Sequence, residues 1–214
     1  ELFKGLAIDG VETDWKEYPV LHFDLNAKKF DTLKDLYDLI GRQLERYEEK
    51  YETEAVDKSL DGRFYNLIMA IAETTANQVV ILVDEYDKPL LQTIGNVDLQ
   101  NVYREALKAF YGVIKSCDSQ IRFAFLTGVT KFGKISVFSD LNNLDDISMD
   151  PAYYDICGIS EKEINEYFDA EIGKLAEENK LTKKQAYDRL RNEYDGYHFC
   201  ENVSGIYNPF SVLS

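Results

Sequence analysis

The clearest indication of the fold is the stretch Val79-Val80-Ile81-Leu82-Val83-Asp84-Glu85. Its first five residues are β-branched or aliphatic and show no polar alternation, which is the pattern of a strand buried on both faces. Such strands are typical of parallel sheets that are covered by helices. Two carboxylates close the strand, at the edge where an open α/β sheet forms its ligand crevice.

Two further strands are predicted around this stretch. Residues 20–25 (Val-Leu-His-Phe-Asp-Leu) alternate in polarity, and residues 121–127 (Ile-Arg-Phe-Ala-Phe-Leu-Thr) end at a glycine. The spacing of apolar residues predicts helices over residues 32–51, 64–71 and 99–114. Asp61-Gly62 is expected to break the chain before the second helix. The order strand, helices, strand, helix, strand indicates an α/β fold.

The chain changes character after the third predicted strand. Residues 128–158 are rich in Asn, Asp, Ser and Gly without a sustained period, which predicts a long loop region. Two capping boxes, Ser160-x-x-Glu163 and Thr182-x-x-Gln185, predict helices beyond it. The expected division is an α/β part followed by a small helical part, over residues 1–150 and 151–214.

The composition argues against several classes of function. The 214 residues include 24 Lys and Arg against 39 Asp and Glu, a formal charge of −15. Such acidity argues against a protein whose whole surface coats nucleic acid or anionic membrane, although it is compatible with a small basic site. The content of 45% hydrophobic residues is enough for a core of ordinary size.

A membrane-spanning segment, a zinc site and disulfide bonds are not expected either. No apolar run approaches the roughly 20 residues that cross a bilayer, so no membrane partner is expected. Cys117, Cys157 and Cys200 are far apart in the sequence, and only two His accompany them, so ligands for a zinc site are not clustered. Three reduced thiols and a cytoplasmic location are the simplest interpretation.

Asp84 and Glu85 are the strongest candidates for chemistry. In P-loop NTPases an Asp at the end of a buried strand holds the Mg²⁺ of the nucleotide, usually through water, and a neighbouring Glu orients the attacking water. The alternative is a strand followed by a turn whose exposed acids are purely structural. Asp24 could line the same crevice, but a polar strand end is the simpler interpretation for it.

The segment 128–135 (Gly-Val-Thr-Lys-Phe-Gly-Lys-Ile) resembles a phosphate-binding loop without completing one. It has both glycines and the lysine of G-x-x-x-x-G-K-[ST], but Ile135 stands where a hydroxyl would ligate Mg²⁺. It also follows the Asp-Glu strand, whereas a phosphate loop normally precedes it. Lys131 and Lys134 form a small basic spot that could meet phosphate or merely offset nearby acids.

Several blocks of the sequence resemble the bacterial AAA-ATPase-like family. Residues 80–90 (Val-Ile-Leu-Val-Asp-Glu-Tyr-Asp-Lys-Pro-Leu) resemble its Walker B block, and residues 125–136 (Phe-Leu-Thr-Gly-Val-Thr-Lys-Phe-Gly-Lys-Ile-Ser) its next block. Four shorter blocks also occur in the family's order, at residues 1–6, 141–148, 194–199 and 207–211. The resemblance therefore extends over the whole chain.

The resemblance implies an ATPase core of the P-loop type, followed by a helical lid from about residue 151. It implies that Asp84 holds Mg²⁺ through water, that Glu85 activates the attacking water, and that Thr127 takes the sensor position near the γ-phosphate. Lys131, in the loop after the sensor, is kept as a candidate nucleotide contact. The family's phosphate loop would precede Glu1, so the chain is expected to be an N-terminally truncated ATPase domain that binds ATP weakly or not at all.

The expected partners follow from the same resemblance. The longer protein would bind ATP and Mg²⁺ and could self-associate, and nucleic acid would be met only through a restriction-endonuclease-like nuclease domain that often follows in the family. One alternative is a non-enzymatic α/β protein-interaction module with structural acids. Another is a nucleotide hydrolase that uses 128–136 as its own phosphate loop. Convergence of Asp84, Glu85 and Thr127 in one crevice would favour the ATPase interpretation.

Overall fold

The computed structural model describes residues 2–26, 29–54, 56–129, 136–138, 141–197 and 205–213. The chain divides into two compact units, Glu1–Leu144 and Asp145–Ser214. This division falls slightly before the one that the sequence analysis placed at residue 150. In the described part of the region expected to be a long loop, only short 3₁₀ turns occur, at Ser136–Phe138 and Pro151–Tyr153.

The first unit is an α/β unit built on a parallel sheet. Its strands are β1 (Val20–Asp24), β2 (Val79–Asp84) and β3 (Ile121–Leu126), in the spatial order β1-β2-β3. The predicted α/β class and the three predicted strands are confirmed. Because each strand lies next to the one that precedes it in the chain, right-handed crossovers carry the connecting helices to the same side of the sheet.

That side of the sheet forms the core of the unit. Leu21, Phe23, Ile81 and Val83 point to it and are buried. The opposite face is less covered, since the side chain of Phe123 remains 54% exposed and the alternate residues of β2 are only partly buried. The expectation that β2 is fully buried on both faces was therefore wrong for one face, because the helices of this unit cover the other.

Among the described residues of this unit, four α-helices accompany the sheet: α1 (Leu33–Lys50), α2 (Leu60–Thr75), α3 (Lys88–Gln92) and α4 (Val97–Ser116). Aromatic rings join α2 and α4 to the central sheet. Phe23 of β1 contacts Phe64 and Phe110 edge-on, with ring centroids 5.1 and 5.3 Å apart. Phe64 and Phe110 stack on each other at 4.6 Å. These contacts fix α2 and α4 on β1.

The start of α2 corrects one detail of the sequence analysis. Asp61-Gly62 does not break the chain but lies in the first turn of α2. Ser59 caps this helix, since its hydroxyl accepts the Gly62 N–H at 3.1 Å. A side chain at position 62 would overlap the Asp57 carboxylate. Gly62 is therefore part of the capped first turn of α2 and not a break before it.

An ion pair joins α1 to α2. Arg63 Nη2 donates to Glu48 Oε2 at 2.6 Å, and Arg63 Nε donates to Glu48 Oε1 at 2.9 Å. Both side chains are largely buried. This bidentate pair stabilises the packing of α1 against α2. Neither residue belongs to a strand or to a loop that follows a strand, so the pair is separate in the sequence from the polar ends of the strands.

The second unit is mainly helical. Its elements are α5 (Glu161–Tyr167), α6 (Asp169–Glu178), α7 (Lys183–Tyr194), β4 (Asp195–Tyr197), β5 (Ile206–Tyr207) and α8 (Pro209–Leu213). Both predicted capping boxes are confirmed, at Ser160 and at Thr182. The antiparallel pair β4–β5 was not predicted. Among the described helices of the chain, none is long and apolar enough to cross a membrane.

Candidate active site

The polar ends of the three strands lie in one row. Asp24 and Asp84 are register partners, and Thr127 directly follows Leu126, whose partner is Val83. Because side chains alternate along a strand, Asp24, Asp84 and Thr127 continue the sheet face opposite to the buried one. Parallel strands place these ends at the carboxyl edge, where ligands of open α/β sheets bind.

Asp84 and Thr127 are in direct contact. Thr127 Oγ1 donates a hydrogen bond to Asp84 Oδ1 at 2.5 Å. The backbone fixes this contact from both sides, since the Thr127 N–H donates to the Val83 carbonyl at 2.8 Å and the Tyr86 N–H donates to the Thr127 carbonyl at 2.9 Å. Asp84 remains exposed and Thr127 is half-buried. The pair is therefore held in place and is open to solvent.

Glu85 continues directly from this pair. Its backbone is left-handed, with φ 56°, at the point where the chain leaves β2. For a non-glycine residue this conformation costs roughly 1–2 kcal/mol. Such strain persists where the surrounding structure fixes it, and it is frequent at functional sites. The Glu85 side chain is half-buried, and Glu85 directly follows Asp84 in the sequence.

Asp24 is placed next to Asp84 but is also used locally. Its Oδ1 accepts the Asn26 N–H at 2.7 Å, which shapes the turn after β1. The Gln43 side chain accepts the Asp24 N–H at 2.9 Å and donates to the Asp24 carbonyl at 3.0 Å. These bonds fit the interpretation of Asp24 as a polar strand end, although the register places it in the row that contains Asp84.

Tyr86 and Asp87 follow Glu85 in the turn after β2. Both are buried, and Asp87 is completely so. Asp87 Oδ2 accepts the Val129 N–H at 3.1 Å, and the Tyr111 hydroxyl donates to the Tyr86 carbonyl at 3.0 Å. Burial, together with the Asp87 charge, raises the pKa of Tyr111 well above its ordinary value, so the phenol stays protonated as a donor.

Lys131 is the remaining predicted site residue. It lies outside the described residues, together with the rest of 130–135. Of the near-complete phosphate-loop motif, only its first two residues belong to the described part before this gap.

The site has few protein ligands for a cation. Within the described ranges, no group of three or more His, Cys, Asp or Glu is arranged to hold a metal ion. Mg²⁺ usually keeps several waters and is bound through one or two carboxylates plus the phosphates of a substrate. The exposed carboxylate of Asp84 at the sheet edge fits that mode of binding, whereas it does not fit a cage formed by protein ligands alone.

A model of the predicted AAA-ATPase family matches residues 1–138. The chain belongs to the AAA-ATPase-like family. This match contains the entire parallel sheet together with Asp84, Glu85 and Thr127. It confirms the family to which the sequence blocks pointed, and membership suggests nucleotide and Mg²⁺ binding in general terms.

A relative from Azotobacter chroococcum mcd 1 is described as an uncharacterized protein in the vnfD 5′ region. It is 35% identical over 213 residues, which cover 99% of this chain and 39% of the relative. The chain thus spans about two fifths of the length of this relative. No solved structure matches the chain.

Proposed function

We propose that the chain carries the Walker B and sensor elements of an ATP-hydrolysing site, with Asp84, Glu85 and Thr127 as its functional side chains. The observation that carries this proposal is the hydrogen bond from Thr127 Oγ1 to Asp84 Oδ1 at the carboxyl edge of two adjacent parallel strands. Membership of a family of predicted AAA-ATPases supports the same reaction.

Each residue has a separate role in this proposal. Asp84 provides the carboxylate that holds hydrated Mg²⁺, and the Thr127 hydroxyl orients that carboxylate. The Thr127 oxygen keeps lone pairs that can accept a hydrogen bond from a water molecule. Glu85 orients the attacking water and accepts its proton, which is the role of a general base. When bound, Mg-ATP supplies the phosphoryl group that is transferred to this water.

Hydrolysis also requires that the protein bind the triphosphate of ATP. A phosphate loop needs a Ser or Thr hydroxyl beside its lysine, and Ile135 occupies that position in the loop-like segment. We therefore expect these 214 residues alone to bind ATP weakly or not at all. Calorimetric titration with Mg-ATP tests this expectation, and micromolar affinity would contradict it.

Two matched substitutions at Thr127 test the function in the full-length protein. Thr127→Val removes the hydroxyl that binds Asp84 and should lower the rate of Mg²⁺-dependent ATP hydrolysis by about 10–100-fold, the scale seen when a hydrogen-bond partner that orients a metal-binding side chain is lost. Thr127→Ser keeps the hydroxyl and should retain most of the rate. Equal rates for the two variants would overturn the assignment of Thr127. Absence of any Mg²⁺-dependent hydrolysis by the wild-type protein would favour an interaction module with structural acids.

A further inference from the structure

The chain that leaves β3 is attached to the turn after β2 by consecutive contacts. The Thr127 carbonyl accepts the Tyr86 N–H, and two residues later the Val129 N–H donates to Asp87 Oδ2 at 3.1 Å. Gly128 lies between these two bonds. A Cβ atom at Gly128 would come within 2.7 Å of Asp87 Oδ1 and of Tyr86 Cε1, so the two segments touch without space between them.

The carboxylate of Asp87 does not make the hydrogen bond that is usual for its position in the chain. It is the N-cap residue of α3, where an Asp side chain ordinarily accepts an N–H of its own helix. Here the carboxylate makes no capping bond to α3. It is fully buried and accepts the Val129 N–H from the neighbouring strand connection instead. Burying a carboxylate is costly unless hydrogen bonds compensate, and the Val129 N–H supplies one such bond to Asp87.

A second contact fixes the other end of this turn. The Tyr111 hydroxyl, buried in α4, donates to the Tyr86 carbonyl at 3.0 Å. The ring of Tyr86 in turn packs against Phe138, with ring centroids 5.0 Å apart. The turn after β2 is therefore anchored to α4, and Asp87 connects this turn to the chain after β3.

We propose that Asp87 is a positioning residue for the candidate active site: its buried carboxylate holds the chain after β3 through Val129, and so keeps the Thr127 hydroxyl on Asp84. This inference rests on the proposed function for its effect on turnover, but its structural part does not. Thr127 lies only two residues before Val129, so releasing Val129 removes the contact that comes next along the chain after the two backbone hydrogen bonds of Thr127. A misplacement on the scale of 1 Å at such a group can lower a rate by about 100-fold.

The test compares turnover in single and double variants of the full-length protein. Asp87→Ala should lower kcat for ATP hydrolysis by up to about 100-fold, and by no more than Thr127→Val does, while the Kd for Mg-ATP changes little. In the Thr127→Val background the same substitution should cause little further loss, because it acts through the Thr127 hydroxyl. The inference would be overturned if the loss of kcat in the double variant equalled the product of the losses in the two single variants. An unchanged kcat in Asp87→Ala would also overturn it.

Two further variants separate positioning from general loss of stability. Asp87→Asn keeps an oxygen that can accept the Val129 N–H, and it should recover most of the turnover that Asp87→Ala loses. Glu48→Ala removes a different buried carboxylate, the partner of Arg63 between α1 and α2, and should lower the melting temperature without changing kcat. A fall in kcat for Glu48→Ala equal to that for Asp87→Ala would mean that destabilisation alone explains the effect.

Amide hydrogen exchange supplies a measurement that does not depend on hydrolysis. In Asp87→Ala, peptides that contain Val129 should exchange at least about tenfold faster than in the wild type, whereas Glu48→Ala and Asp87→Asn should leave them protected. Unchanged exchange in Asp87→Ala would overturn the inference even if the protein is an active ATPase. Conversely, faster exchange in a protein that does not hydrolyse ATP would refute the proposed function and leave the contact itself established.

Discussion

Replacing Gly128 by Ala tests the close packing of the two strand connections. The added Cβ would lie 2.7 Å from Asp87 Oδ1, 2.7 Å from Tyr86 Cε1 and 2.9 Å from Tyr86 Cδ1. Both neighbours are buried, with 5% of Tyr86 and none of Asp87 exposed, so neither can rotate into solvent to make room. Overpacking of this kind costs about 1–3 kcal/mol. For a domain of this size, a loss of 2 kcal/mol lowers the melting temperature by roughly 4–8 °C.

Gly112 provides the matched control. It lies inside α4, and a Cβ atom there would meet no other atom within 4 Å. Gly112→Ala should therefore stabilise the protein by roughly 0.5–1 kcal/mol, because Ala is the better helix former. Urea and thermal unfolding of the two variants measure the contrast. The packing argument is refuted if Gly128→Ala is as stable as the wild type while Gly112→Ala behaves as expected.

Two other predictions concern stability. Ala76 ends α2 with φ 51°, so Ala76→Gly should raise the free energy of unfolding by about 0.5–1 kcal/mol, and a lower melting temperature would contradict this reasoning. Hydrogen bonds from the Ser160 hydroxyl and N–H hold the pKa of Glu163 below its ordinary value of 4.5. Their stabilisation is thus present above that pH and is lost as the pH falls through the lowered pKa. Ser160→Ala should cost about 1 kcal/mol at neutral pH and flatten this acid dependence, as followed by circular dichroism between neutral and acidic pH.

Local patterns were sufficient to predict most of the architecture. The run of aliphatic residues in β2 and the alternation in β1 predicted the strands, and the capping boxes at Ser160 and Thr182 predicted where helices begin. These signals succeed because they depend on neighbours in the sequence. The Asp61-Gly62 prediction failed because the same residue types favour breaks and first turns, and only the cap formed by Ser59 distinguishes them.

The candidate site was predictable only in part. The contact between Asp84 and Thr127 follows from strand register and alternation, once the two strands are known to be neighbours. The burial of Asp87 has no such signal, since an Asp before Lys-Pro is most often a surface residue of a turn. Its role arises from the chain after β3, which reaches it from a position distant in the sequence. The packing of Tyr111 below the turn is of the same long-range kind.

The most direct test of the central claim is the rate of Mg²⁺-dependent ATP hydrolysis by the full-length protein with Glu85→Gln, measured beside its affinity for Mg-ATP. Glutamine has nearly the same shape but cannot accept a proton from water, so only the role of base is removed. A positioned general base contributes about 10²–10⁴-fold to a rate. The account predicts a loss of kcat of that size with unchanged nucleotide affinity. Turnover within about twofold of the wild type would contradict it, because a loss of at least 10²-fold is expected if Glu85 activates the water.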